Sequence, residues 1–269
     1  MLRFEVSADD LLRTRFAISP LFELASLLHV LAGQTSRRLP PAWAARVTPA
    51  YRSLRADPAF RAATALHTPR RGPAFLSPPP AGGLTQTLED DLAAVRDTPP
   101  AHVEWEIAES LRLRPTRDTD ALRILHGPDV LDRLTAALLA AWHALVAPDW
   151  PRLRAICERD VLFRAGELGR AGWSAAFAGL PHIHWRDGGI DVARLRSTAR
   201  IPSDGSGILL MPSVFIWPGS AAFSEAPWPR AVGQEVKEVP LRYEREERKL
   251  PREAAEVCQD VGAVIGGDT

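Results

Sequence analysis

Apolar residues recur along the chain at two periods, and the change between them divides it. Leu2, Phe4 and Val6 alternate with polar residues, the pattern of a short half-buried strand. Ser7 then offers an N-cap, with Asp9 and Asp10 in the first turn, and a helix is expected through about Ala17. Pro20 opens a second helix whose leucines at 21, 24, 28 and 31 form one stripe, with Gly33 as its C-terminal cap. Pro40-Pro41 starts a helical region with Trp43, Val47, Tyr51 and Leu54, expected to break near Pro58 and to resume through Leu66.

Residues 68–83, rich in Pro and Gly, read as a stiff connection. The helical period returns with Leu88, Leu92 and Val95, and again with Val103, Ile107 and Leu111 beyond Pro99-Pro100. The strongest stripe is Leu131, Leu134, Leu138, Trp142 and Leu145, stopped by Pro148. Asp149 and Pro151 open another helix, expected to bend at the Gly166/Gly169/Gly172 cluster and to reach about Ala178. After Pro181 the period falls to two. His182–Arg186 and Ile190–Val192 flank Gly188-Gly189 as a hairpin, and Gly207–Met211 and Val214–Trp217 read as further strands of the same small sheet. The fold class expected is mainly α with a small β-sheet in the C-terminal part (α+β). Three blocks follow: 1–67 with a strand and helices, 84–230 with helices and sheet forming one regulatory unit with the first, and a charged, weakly ordered tail from 231 to 269.

Composition narrows the class. The chain of 269 residues is 46% hydrophobic and 25% charged, which excludes disordered and fibrous classes. Its 33 basic groups balance 33 acidic ones, so it lacks the overall basic field usual in nucleic-acid binders. All but Lys237 and Lys249 of the basic groups are Arg. The tail from Gly233 carries six basic and nine acidic residues, leaving a slightly basic body. Cys157 and Cys258 belong to no metal motif and read as free thiols of a reducing compartment. Neither a secretory leader nor a transmembrane span is expected, so the protein reads as cytoplasmic.

Candidate chemistry is sparse. His182 and His184, two apart on a strand, point to one face, and with Asp187 or Asp191 could bind a divalent metal; the competing reading is a polar hairpin face. Trp142, His143, Trp173 and Trp185 are candidates for lining an apolar ligand pocket, with core filling the equal alternative. Cys157 reads as packing, Ser203–Gly207 as a turn, and Glu104, Glu106, Glu109 and Glu89-Asp90-Asp91 as solvated helix faces. No catalytic constellation and no cofactor motif emerges.

Five segments in order carry a resemblance: Ser7–Ala17, Pro20–His29, Ala147–Ala155, Ile183–Arg186 and Gly207–Phe215. Together they resemble the N-terminal region of actinobacterial transcriptional regulators of the arsenical-resistance-repressor (ArsR) type. There a mostly helical domain of uncharacterised function precedes a winged helix-turn-helix. The resemblance covers residues 1 to about 230 and implies a sensing or dimerisation region, with DNA engaged through a winged helix, a small-molecule signal and a homodimer. Beyond Trp228 no pair of amphipathic helices around a tight turn is evident. A truncated or frame-shifted reading frame and a natural loss of the module both account for that. Two alternatives stand: a metal-dependent enzyme using the His182/His184 face, and a protein–protein interaction fragment forming mixed dimers.

Overall fold

The computed structural model describes residues 1–34, 39, 41–68, 72–81, 83–193, 198–216 and 219–236. Lys237, Lys249, Cys258, Trp217 and the body of the charged tail lie outside them. The chain runs β1 (Leu2–Glu5), α1 (Ala8–Arg13), β2 (Arg15–Phe16), α2 (Pro20–Leu31), α3 (Pro41–Leu54), α4 (Pro58–Ala65), α5 (Leu88–Arg96), α6 (Pro100–Leu113), α7 (Thr119–Leu125), α8 (Val130–Leu145) and α9 (Trp150–Ala176). The remaining strands follow: β3 (Ile183–Arg186), β4 (Gly189–Val192), β5 (Ala199–Ile201), β6 (Leu209–Ser213), β7 (Ser220–Phe223) and β8 (Ala231–Glu235). The α+β class holds. Among the described residues no single helix is long and apolar enough to cross a membrane.

The sheet is two sheets, ordered β3-β4-β1-β5 and β2-β6-β8-β7. Each takes a strand from the first sixteen residues. β1 lies between β4 (antiparallel) and β5 (parallel), and β2 runs parallel to β6. The first helix therefore ends at Arg13 instead of Ala17. Thr14 Oγ1 donates to the Asp10 carbonyl at 2.7 Å and accepts from Ile208 N at 3.1 Å, after which Arg15 and Phe16 extend beside Leu209 and Leu210. A two-residue strand has no periodicity to read.

Period-two alternation sorts the second sheet's side chains. Leu210 and Val232 face the first sheet's Leu2, Phe4, Ile183, Ile190 and Val192, while Leu209, Met211 and Ala231 face Phe22 of α2. Gly233 lets α2 approach: a Cβ there would stand 2.4 Å from Phe22 Cζ. The largest core cluster lies within the helices, including Leu21, Leu28, Phe60, Leu92, Ile107, Leu134, Leu138 and Leu153.

Two expectations about strands are corrected. β6 runs through Pro212 to Ser213, and Val214–Ile216 is not strand; Trp217 lies outside the described residues. Leu209 and Ser213 turn their backbone groups to β8, so those of Pro212 face the other side, past the end of β2, where no ladder donor is needed. The tail boundary at 231 is also too early. Ala231–Glu235 is a buried strand between β6 and β7, invisible to a charge-based reading because Gln234 and Glu235 sit inward with their small neighbours.

The Pro/Gly connection enters the core. It includes a 3-10 turn at Ala74–Leu76, and Pro78, Pro79 and Pro80 are buried. Proline has no N–H, so such a segment enters a core with few donors to satisfy. In α9 the bend falls at Ala171 and Gly172, whose φ of +78° favours glycine.

Candidate functional site

The aromatic candidates form two separate groups. Trp142 is buried and meets Trp150 edge-on, ring centroids 5.2 Å apart, inside the helical core. His143, its neighbour in sequence, is exposed on the opposite side of α8. Trp173, placed just after the α9 bend, stacks on Trp185 of β3 at 6.0 Å and 27° and on Phe177 at 5.9 Å and 26°. This partly exposed three-ring stack covers the first sheet's core. Trp173 and Trp185 are thus brought together, and Trp142 and His143 are not part of their group.

His184 is exposed on β3 and pairs across the hairpin with Asp191. That carboxylate is taken by Arg3, whose Nη1 donates to it at 2.8 Å and whose Nη2 holds the carbonyls of Arg186 and Asp187. Among the described residues no three His, Cys, Asp or Glu side chains are placed to hold a metal ion. Cys157 is buried, and desolvation and the nearby Glu23, Asp160 and Glu158 carboxylates push its thiol well above the usual range. It remains a thiol, unsuited to nucleophilic attack.

Two carboxylates read as solvated are instead buried. Asp91 accepts from Ser19 Oγ (2.8 Å), Leu21 N (2.9 Å) and Gln86 Nε2 (3.0 Å), and burial still raises its pKa to about 6. Glu106 accepts from His102 Nε2 (2.8 Å), Trp228 Nε1 (3.4 Å) and Phe75 N (3.4 Å). The His102 ring lies 5.6 Å from Trp105 and 5.5 Å from Trp228, so the carboxylate orients an imidazole between two indoles. The signal was present: Glu106 shares a stripe with Val103, Ile107 and Ser110, and Asp91 one with Leu88, Leu92 and Val95.

The most connected polar group joins α9 to the strand ends. Arg164, fully buried, donates from Nε to Asp160 at 2.7 Å, from Nη1 to the Ala176 carbonyl at 2.8 Å and from Nη2 to the Glu235 carbonyl at 3.4 Å. Gln234 Nε2 reaches the same Asp160 oxygen at 3.3 Å. Glu23, buried on α2, accepts from Val214 N at 2.9 and 3.2 Å. The arrangement orders three chain segments at the end of β8.

Comparison with known proteins adds no relative: no family model, no curated protein and no solved structure matches the chain.

Proposed function

We propose that residues 1–236 form the regulatory body of a transcription regulator of the type the sequence resembles, receiving a signal and passing it to a DNA-binding module joined beyond β8. The observation that carries this reading is the seating of β1 and β2 in sheets otherwise built from residues 183–235. The five segments of the resemblance coincide with the elements that lock the two ends of the chain together. Ser7–Ala17 supplies α1 and β2, Pro20–His29 lies in α2, Ala147–Ala155 opens α9, and the last two are β3 and a segment containing all of β6. Arg164 then couples the bend of α9 to the last residue of β8, so movement of the helical body reaches the following chain directly. The Trp173/Trp185 stack is the surface proposed to meet a small apolar ligand.

Two measurements test the reading. Translation of the nucleotide sequence beyond codon 236 in three frames is expected to encode a winged helix. Fluorescence anisotropy of this chain with promoter duplexes is expected to give only weak binding, equal for scrambled duplexes. A nanomolar, sequence-specific complex formed by this chain alone overturns the proposal.

A further inference from the structure

α2 and α4 end side by side on two histidines. His29, in the last turn of α2, and His67, just beyond α4, bring their rings to 5.9 Å, edge to face. His67 is only 2% exposed, and its buried Nδ1 has no hydrogen-bond partner among the described residues. Gly72 closes over it, a Cβ there standing 3.5 Å from Nδ1. His67 thus occupies the joint between α4 and the buried proline-rich segment, and its ring nitrogen is a cost that a satisfied core avoids.

The surroundings refuse a proton. Among the described residues, the charges acting on His67 are His29 from α2 and Arg114 from the end of α6, whose Nη1 donates to the His67 carbonyl at 3.3 Å. Tyr51 of α3, beside Arg114, is kept neutral by burial, and no carboxylate of α7 or α8 contributes. His29 is bonded by the Gln34 backbone and is also held below its ordinary range by burial. An imidazolium formed in place would be buried, unpaired and set against two cationic or cation-forming neighbours.

We infer that the His29–His67 pair is an acid-sensitive latch: protonation of His67 requires residues 66–68 to leave the core, releasing the proline-rich stretch from Pro73 onward. This stands apart from the regulator reading and does not depend on it. Burial holds the folded His67 pKa at about 3, against the ordinary imidazole range in the open form. The latch is closed above the ordinary range and is progressively undermined below it. Between about pH 7.5 and about pH 5.5, one such group raises the population of the open form about tenfold.

The test is amide hydrogen exchange on the full chain at those two pH values, corrected for intrinsic rates, with a ring-proton NMR titration of the histidines. Expected are a tenfold rise in opening at residues 66–68 and 72–76, absent in the His67→Phe variant, and a His67 resonance that does not titrate in the closed form above pH 5. Unchanged opening in the wild-type protein overturns the latch, as does a His67 ring that titrates in the ordinary range while exchange stays flat. A rise that persists in folded His67→Phe overturns it as well. If that variant fails to fold, the two wild-type measurements decide.

Discussion

Arg164 and Asp160 stand one helical turn apart on the buried face of α9, joined at 2.7 Å, with neither side chain more than 2% exposed. A charge pair so placed contributes little net stability against apolar replacements of equal volume, but breaking one half is costly. Arg164→Met is expected to destabilise by about 3–5 kcal/mol in urea unfolding, because the buried Asp160 carboxylate loses its guanidinium. The double replacement Arg164→Met with Asp160→Leu is expected to recover most of that loss. An equal or larger loss in the double variant would mean the pair's bonds to Ala176 and Glu235 matter more than its charges.

Gly233 sets how closely α2 and β8 pack. Gly233→Ala is expected to cost about 1–3 kcal/mol, since the new methyl group meets the Phe22 ring. Phe22→Leu in the same chain should restore part of it, giving a favourable coupling in a double-mutant cycle.

Asp91 should make part of the stability fall as pH rises. Its pKa goes from 3.8 in the unfolded chain to about 6 in the fold, so its contribution is fully present below 3.8 and lost as pH rises through 6. Comparing wild type with Asp91→Asn from pH 4 to pH 7, the wild type is expected to lose about 2 kcal/mol relative to the variant. A constant difference across that range would show the buried carboxyl to be ordinary.

Asp10 carries the opposite sign. It accepts from Ser7 N and Oγ, from Gly207 N and from Ser203 Oγ, and these bonds hold its pKa below the usual carboxylate range. Its contribution is present above the unfolded pKa and lost as pH falls through the depressed one. Asp10→Ala is expected to cost about 1–2 kcal/mol at neutral pH and to loosen residues 203–207 from α1, read as faster amide exchange at Gly207.

Much of this fold is written in side-chain periodicity, and the parts that are not share a cause. α2, α8 and the β3–β4 hairpin follow from leucine stripes and period-two alternation, although the turn falls on Asp187-Gly188, both at positive φ, one residue before the expected Gly188-Gly189. Seven-residue α7 is too short to show a stripe, although Asp118 caps it by accepting from Asp120 N and Ala121 N. β2 owes its existence to β6, which it meets across nearly the whole length of the chain and which no local window contains, whereas β8 pairs with nearby β6 and β7 and was hidden by the charge around it. The candidate sites divide in the same way. The Trp173–Trp185 stack follows from a helix end meeting a hairpin, whereas Glu106 and Asp91 were misjudged because charge was weighed above their place on an apolar stripe. His67, flanked by Leu66 and Thr68 at a helix end, gave no sign that its ring would be sealed in.

The bond from Arg3 to Asp191 spans 188 positions, and β1 around it has no partner until β4 and β5 exist. β1 therefore leaves the ribosome well before its partners and is seated late. Until then Leu2 and Phe4 remain an exposed apolar edge, and the sheets close only when residues 183–235 have emerged. A chain cut short before β4 and β5 would expose that edge permanently, making such products natural clients of chaperones and proteases.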